Sequence, residues 1–588
     1  MRENAPPPAA FGPRIGVAIV LVLVPLMLLI LLLPPLKGRG ADKKQDWVLG
    51  LAIATAIASG VAYFVPTALF PRKQSTLPLI VFGTAMLLIA NVMWNRSFLH
   101  YTSHHTYVRE VFRRAMRNFH APVYGRYDNA IARSKEARPP YSYATVPWVI
   151  VSSMVALGWF YWARRRALEK RWDAGSFLIL MAFQLALIFF FALCEPPSKP
   201  GRAPMRLTLQ LSGYSEFASD IPSFSGVADT LGNYVGKMPS LNWYGQHYPP
   251  GNLILLEIED QLGIPGMTKT IVCLLTVLTA VPLYMLAKEL ELDDASASLA
   301  VLLFATTTGV LIYATINTTS LVLFPATMCL WMLVRALKTG SMAAAALLGL
   351  SFTFYLFFSF SASILGVLMA LTTVLGWWSG AFKTRNIVLT GAVSLACVLA
   401  TVVLIYVTTR FNLIACFITA VRGHQAQQGN EGFDDAKRWW LRSTGNIIAY
   451  LLSIVPLCIL AISAVVYRQL AKLQAQGAEP ASDDVRPDVA AIAYAQASTP
   501  RLRPAIDKLI ARSLFIATVL TVLIAGFCGL FYVETERIWI FLTPAFALAA
   551  GYELRRRADE EGRGIIYIVL FLVIAISCTQ EFFFQHYR

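Results

Sequence analysis

The sequence predicts an all-α fold: a polytopic membrane bundle of about 13–15 spanning helices, with an outer-face loop and short interfacial helices. Three observations carry that prediction. Hydrophobic residues make up 56% of the 588 and charged residues only 14%, and the mean hydropathy of +0.57 lies far above that of an ordinary soluble domain. Apolar runs of roughly 17–25 residues, long enough to cross ~30 Å of hydrocarbon as helices, recur along nearly the whole chain. Between them lie short connectors in which basic residues cluster, such as Arg164-Arg165-Arg166 and Arg555-Arg556-Arg557, the pattern of topology determinants facing cytoplasmic lipid headgroups.

Taken in order, the candidate spans cover 15–34, 47–64, 78–94, 146–163, 175–194, 268–288, 298–314, 319–336, 342–358, 360–378, 387–408, 446–467, 513–532, 538–553 and 564–580. The first run is too long for a signal-peptide core and lacks a small-x-small cleavage site, so it reads as a retained span. If the spans alternate, the basic positions at 164–171, 288, 338, 383–385, 468–512 and 555–563 fall on one side, cytoplasmic by the positive-inside rule. The segments 195–267, 409–445 and 533–537 then face outward, as does the C-terminal tail. The connector at 37–44, with four basic residues, and the Arg- and Tyr-rich loop at 95–145 would lie outside against that rule, so the topology is firmest after residue 164. The expected organisation is an N-terminal transmembrane extension at 1–170, of about four spans, followed by a transmembrane core at 171–588 with an outer loop at 195–267 and a polar cytoplasmic linker at 469–511.

The formal net charge is +16, but no stacking platform or nucleic-acid motif accompanies it, so membrane lipid and not nucleic acid is the expected partner of the basic connectors. The eight cysteines stand singly within or beside apolar segments, without a Cys-x-x-Cys pair. That excludes a disulfide framework or zinc site as the organising feature. His104-His105 lacks the i, i+4 spacing of a helical metal pair.

Chemistry concentrates in the outer loop, where Glu216, Asp220, Asp229 and His247 stand within one polar stretch that ends in the elbow His247-Tyr248-Pro249-Pro250-Gly251. Glu216 and Asp220 are spaced i, i+4, so on a short helix they share a face. Two carboxylates so placed repel, which a shared proton, a divalent cation or a substrate cation relieves; a solvated loop face fits the same spacing. No motif demands a cofactor, and a divalent cation, Mg or Mn, if one is used, would fall to Asp220 and Glu216. Proline suits a helix start, so the elbow should launch a re-entrant or interfacial helix carrying Glu257, Glu259 and Asp260 near its far end. His247 at that elbow reads equally as a structural hydrogen-bonder or as a pocket residue.

Two further outer segments carry charge. Glu534-Thr535-Glu536-Arg537 lies at a membrane boundary, where a guanidinium clamps phosphate or carboxylate; the segment reads equally as a loop cap in which Arg537 pairs with Glu534 or Glu536. The 409–445 segment supplies Arg422, His424, Asp434, Asp435, Lys437 and Arg438 ahead of Trp439-Trp440. That composition suits an interfacial belt, and also a lipid phosphate carrying a sugar.

The acidic outer loop, the stretch HYPPGNLILLEIEDQLG (247–263), the span ending in PLYMLAKELEL (282–292) and the segment ETERIWIFLTP (534–544) together resemble the GT-C superfamily of membrane glycosyltransferases, including the protein mannosyltransferase and lipid A aminoarabinose transferase relatives. The resemblance covers about 175–555. It implies a hexosyl- or pentosyltransferase that moves a sugar from a polyprenyl-phosphate donor to a glycan, lipid or protein hydroxyl, with inversion, at the outer face of a bacterial cytoplasmic membrane. It also implies roles: Asp220, then Glu216, as the catalytic carboxylate; Arg537, Glu534, Glu536 and Arg422 near the donor phosphate; His247, Tyr248, Asp229 and His424 around the substrate pocket. The chain departs from the family in placing four spans before the acidic loop and in lacking an adjacent Asp-Asp or Asp-Glu pair there.

The rival class is a transporter or flippase of a lipid-linked or small anionic substrate. It would show ionisable groups near the bilayer midplane and broken helices in matching halves. The candidate spans carry few mid-membrane charges and no matching halves are evident.

Overall fold

The structure, a computed structural model, describes residues 53–56, 59, 174–193, 217–264, 266–316, 318–428, 436–455, 457–462, 502–528, 539–561 and a few positions beyond. The expected spans at 15–34, 78–94 and 146–163, and most of that at 47–64, lie outside the described residues, as does most of the 469–511 linker. Contacts divide the chain into two compact units, 1–155 with 556–588, and 156–555. The second contains all the geometry below.

The elements of this unit are helical, with no strand among the described residues. In chain order they are α1 (Ala174–Leu193), α2 (Val227–Lys237), α3 (Trp243–His247), α4 (Gly251–Leu262), α5 (Met267–Leu278), α6 (Ala280–Glu289), α7 (Asp294–Thr306), α8 (Thr308–Ile316), α9 (Leu323–Thr339), α10 (Met342–Phe358), α11 (Ala362–Trp378), α12 (Thr384–Thr409), α13 (Leu413–Gln428), α14 (Ala436–Ser453), α15 (Leu502–Phe527) and α16 (Thr543–Glu561). Among the described residues four stretches are long and apolar enough to cross a membrane by length and composition: Met267–Glu289, Thr318–Thr339, Thr384–Thr409 and Leu509–Phe527.

Local chemistry sets the helix ends. Asp293 caps α7 by accepting from the Ser296 N–H at 3.3 Å, and Ser341 caps α10 by accepting from Ala344 at 3.2 Å. Gly340 closes α9 and Gly263 closes α4, both in the left-handed conformation. The apolar run read as one span at 298–314 is broken into α7 and α8, because Thr307 takes an extended backbone (φ −66°, ψ 132°). Its hydroxyl and that of Thr306 satisfy themselves on the preceding turn, donating to the Leu303 and Leu302 carbonyls at 2.7 and 2.8 Å. A hydropathy reading is blind to such a break.

α7 is wholly buried over 296–306 and packs on α6, α8 and α1. α6 packs on α9, α9 on α10 and α10 on α12, and α11 lies along α15. α12 is the outermost: only 6% of its apolar window is buried, and Val388, Leu399 and Leu404 are exposed. A helix apolar all round with so little covered by protein is one that faces lipid.

The bundle has two chemically different ends, fixed by α12. At its start, Trp377 Nε1 donates to Thr384 Oγ1 at 3.2 Å and Asn386 Nδ2 to the Leu337 carbonyl at 2.9 Å. The same end holds the ion pairs Lys288–Asp294 (2.8 Å), Arg335–Glu289 (2.9 Å) and Arg555–Asp293 (3.5 Å). At its finish, Phe411 packs its ring on Tyr234 of α2 and Phe357 of α10, with centroids 6.4 and 5.9 Å apart. The outer-loop residues therefore sit at the end opposite the basic connectors.

Candidate active site

The loop entering α2 is built around one buried carboxylate. A helical turn at 217–220 leads into a 3₁₀ turn, Ile221–Ser223, for which Asp220 is the N-cap position. Its side chain turns inward and is 2% exposed. Oδ1 accepts from the Asn242 N–H at 2.9 Å and from Asn242 Nδ2 at 2.8 Å, and that same amide group lies 2.6 Å from Ser219 Oγ. Oδ2 is buried and has no hydrogen-bond partner among the described residues. It lies against Gly245, where an added Cβ would overlap it and would come within 2.8 Å of Leu241 Cβ, so glycine is what permits this close approach.

Burial disfavours the charged form and pushes the Asp220 carboxyl above the usual carboxylate range; the two Asn242 hydrogen bonds favour the anion and only partly offset that. A carboxylate with one oxygen anchored and the other unshared in a desolvated setting is arranged to take a proton.

Aromatic rings wall this group. Phe217, Tyr244 and Tyr248 form a triangle with centroid separations of 5.4, 5.9 and 5.5 Å. Behind them the fully buried Tyr234 places its hydroxyl 3.0 Å from both the Gly245 and Tyr248 carbonyls, tying α2 to α3 and to the elbow. Burial raises the Tyr234 phenol well above its ordinary pKa, so it stays a neutral donor.

The elbow launches α4 as the sequence implied. Pro250 is its N-cap, and Gly251 nests against the Phe357 carbonyl at the end of α10, where any Cβ would collide. Asn252 is buried and donates to the Phe358 carbonyl at 3.1 Å. Further along α4, Glu257 accepts from Thr230 Oγ1 of α2 at 2.8 Å, and burial raises its pKa. Glu259 binds the N–H groups of Gly266 and Thr268 at 2.6 and 2.9 Å and so caps α5. His247 closes α3 and is half-buried, as is Tyr248 beside it.

The other named residues distribute unevenly. Asp229 lies in the first turn of α2 and is bound locally: Oδ2 accepts from Ser225 N–H at 2.9 Å and pairs with Lys237 at 3.2 Å, while Oδ1 accepts from Asn233. The Ser225 bond first, then Asn233 and Lys237, hold its carboxyl down at about 2. The 413–428 part of the expected outer loop is helical: Asn412 caps α13 by accepting from the Ala415 N–H at 2.9 Å. α13 packs on α2 and α3, with Cys416 Sγ 3.6 Å from Met238 Sδ, and Arg422 is exposed on it. Glu216, Glu534, Glu536, Arg537 and the side chain of His424 lie outside the described residues.

The described part of the 534–544 segment does reach this end of the bundle. Its 3₁₀ turn, Ile540–Leu542, puts Phe541 against Tyr355 of α10, ring centroids 5.9 Å apart. Tyr355 in turn bonds Ser361 Oγ at 2.9 Å, one turn from the carbonyl that Asn252 holds. Trp439 and Trp440 stack on Phe527 at the close of α15, and Trp440 is exposed, as an interfacial belt requires.

Sequence reasoning missed Asn242, Tyr234 and Asn252. Asn242 carries the recognisable sign of an N-cap before a short helix, but its bond to a residue 22 positions earlier has no local signature. No group of three or more His, Cys, Asp or Glu suited to a metal forms among the described residues.

No family model and no curated protein matches the chain. Among solved structures it is similar to the Archaeoglobus fulgidus oligosaccharyltransferase in complex with Zn and sulfate, at 15% identity and TM-score 0.36 over 67% of this chain and 53% of that one. It is similar to the same protein tethered with an acceptor peptide containing the NVT sequon, at 13% and 0.41 over 70% and 55%. A third is the archaeal oligosaccharyltransferase AglB from Archaeoglobus fulgidus in complex with an inhibitory peptide and a dolichol-phosphate, at 14% and 0.37 over 69% and 55%. The chain spans about half the length of these structures.

Proposed function

We propose that this chain is a membrane glycosyltransferase that moves a sugar from a polyprenyl-phosphate donor to an acceptor hydroxyl at the outer face of the membrane, with inversion and with Asp220 as the base. One observation carries the reading: Asp220 is buried at the loop end of the bundle, anchored through Oδ1 and unshared at Oδ2.

In the proposed reaction the acceptor hydroxyl gives its proton to Asp220 Oδ2 as its oxygen attacks the anomeric carbon. The bond from that carbon to the phosphate oxygen breaks, and the electron pair leaves on the polyprenyl phosphate. Little covalent chemistry is needed, so positioning and a base suffice. Arg537 would neutralise the leaving phosphate, with Glu534 and Glu536 orienting it. Arg422 is assigned with Arg537 to the donor phosphate, and His424, His247, Tyr248 and Asp229 to the surrounding walls.

A cation fits only in part. Asp220 Oδ2 is a hard oxygen suited to Mg or Mn, but the described residues supply this single ligand, and the second would be Glu216. No step is routed through a metal.

The test is sugar transfer from a polyprenyl-phosphate donor by the purified protein in membranes. Asp220→Asn should lose about 10²–10⁴-fold in kcat, the usual worth of a general base, while Asp229→Asn stays within a small factor. Wild-type transfer by Asp220→Asn rejects the base. Absence of transfer by the unmutated protein with any such donor rejects the reaction.

A further inference from the structure

The end of the bundle away from Asp220 holds a cleft of about 260 Å³ between α11 and α15. It is lined by the apolar Leu375, Leu509 and Ile516, by Ser379 and Ser513, and by Trp378 and Arg512, both exposed. Arg512 is exposed and forms no ion pair or hydrogen bond with any described residue. Trp378 is 84% exposed and its neighbour Trp377 is 54% exposed, two indoles side by side where an aromatic belt would lie.

The surface leading away from the cleft is apolar and continuous. On α15, Arg512, Ile516, Leu520 and Leu523 recur at i, i+4, i+8 and i+11, one stripe of a helix. Leu520, Leu523 and Ile524 are exposed, and Val374 is exposed on α11. From Arg512 to Ile524 the stripe runs about 18 Å, twelve residues at 1.5 Å each, close to the ~15 Å of one leaflet's hydrocarbon.

We infer that this cleft binds one anionic phospholipid of the leaflet opposite the Asp220 site, its phosphate on Arg512 beside Ser379 and Ser513 and an acyl chain along the Ile516–Leu520–Leu523 stripe. An unpaired guanidinium at the head of an apolar track complements a molecule with an anionic head and a long tail. A free anion would use only the head of that track. The inference stands apart from the sugar-transfer reading, because it draws on a different end of the bundle and on none of the same residues.

The experiment uses the full chain in phosphatidylcholine vesicles doped with brominated phosphatidylglycerol or brominated phosphatidylcholine. The signal is the tryptophan quenching present in the wild type and absent in Trp378→Phe. Half-maximal quenching should need about fivefold less brominated phosphatidylglycerol than brominated phosphatidylcholine, the worth of one basic residue at an anionic surface. Arg512→Ala and Arg512→Gln should abolish that preference, and Arg512→Lys should keep most of it. Equal quenching by the two lipids in the wild type overturns the inference, as does a preference that survives both neutral variants. Displacement of phosphatidylglycerol by inorganic phosphate alone would show a free-anion site and overturn it too.

Discussion

At the scale of the residue, Asp220 and Asn242 form a pair whose functional and structural roles separate by experiment. Asp220 is raised above its ordinary range by burial, and Asn242 pulls it back through two hydrogen bonds to the anion. For a base, activity rises with pH as the carboxyl ionises, so the acid limb should sit higher than that of a solvated aspartate. Removing the side-chain donor in Asn242→Ala, which leaves the backbone N–H in place, favours the neutral acid further, and the limb should move to higher pH with the plateau partly retained. A limb that stays in place would assign Asn242 to folding alone, and kcat measured across pH decides it. The stability sign is opposite to that of a salt-bridged aspartate: with the folded pKa above the unfolded one, the native state binds more protons in the window between them, and stability falls as pH rises through it. Above that window the anion remains a net burden, so Asp220→Asn should melt no lower than the wild type at neutral pH. Asp229 behaves the other way. Held at about 2, it contributes stability that is present above its ordinary value and lost as pH falls towards 2.

At the scale of the element, the helices were legible wherever an apolar run ended in a capping residue. The run at 342–358 is α10, Met342–Phe358, and that at 360–378 is α11, Ala362–Trp378, each closed at its boundary by serine or by the turn to Gly380. α13 was not legible, because its apolar half, about nine residues, is too short for a span and its polar half resembles a loop. The interfacial α4 was legible from Pro249-Pro250, but the use of its acids was not: Glu259 was expected only as a charge near the far end of that helix and proves to be the cap of the next one. Hydrogen bonds to a charged group carry about 1.5–3 kcal/mol, and Thr268 N–H is buried. Glu259→Ala should therefore lower stability by about that amount while leaving the pH limb of Asp220 unmoved. A denaturant melt in detergent checks the first part, and a variant as stable as wild type would remove Glu259 from the framework of the site.

At the scale of the whole molecule, the polarity of the bundle makes the sidedness of the site testable. α12 has 26 residues and so runs about 39 Å, more than the ~30 Å of hydrocarbon. Its start carries Lys383 and Arg385 beside Lys338, and its finish meets α2 and the loop of Asp220. We propose that the two ends face different compartments, with the basic end cytoplasmic as the positive-inside rule predicts. The connectors predict that sidedness, since their charge bias needs no tertiary information; the meeting of Asp220 with Asn242 and of Phe541 with Tyr355 was not legible, since each depends on residues far apart in sequence. Ser223 and Lys383 are both exposed and lie at opposite ends. In a background with the native cysteines replaced, Ser223→Cys should react with a membrane-impermeant maleimide added to intact cells, and Lys383→Cys only after the membrane is opened. Labelling of both from one side would contradict the spanning arrangement. Labelling with the sides exchanged would place the Asp220 carboxylate in the cytoplasm, where an acceptor hydroxyl presented from outside never meets it.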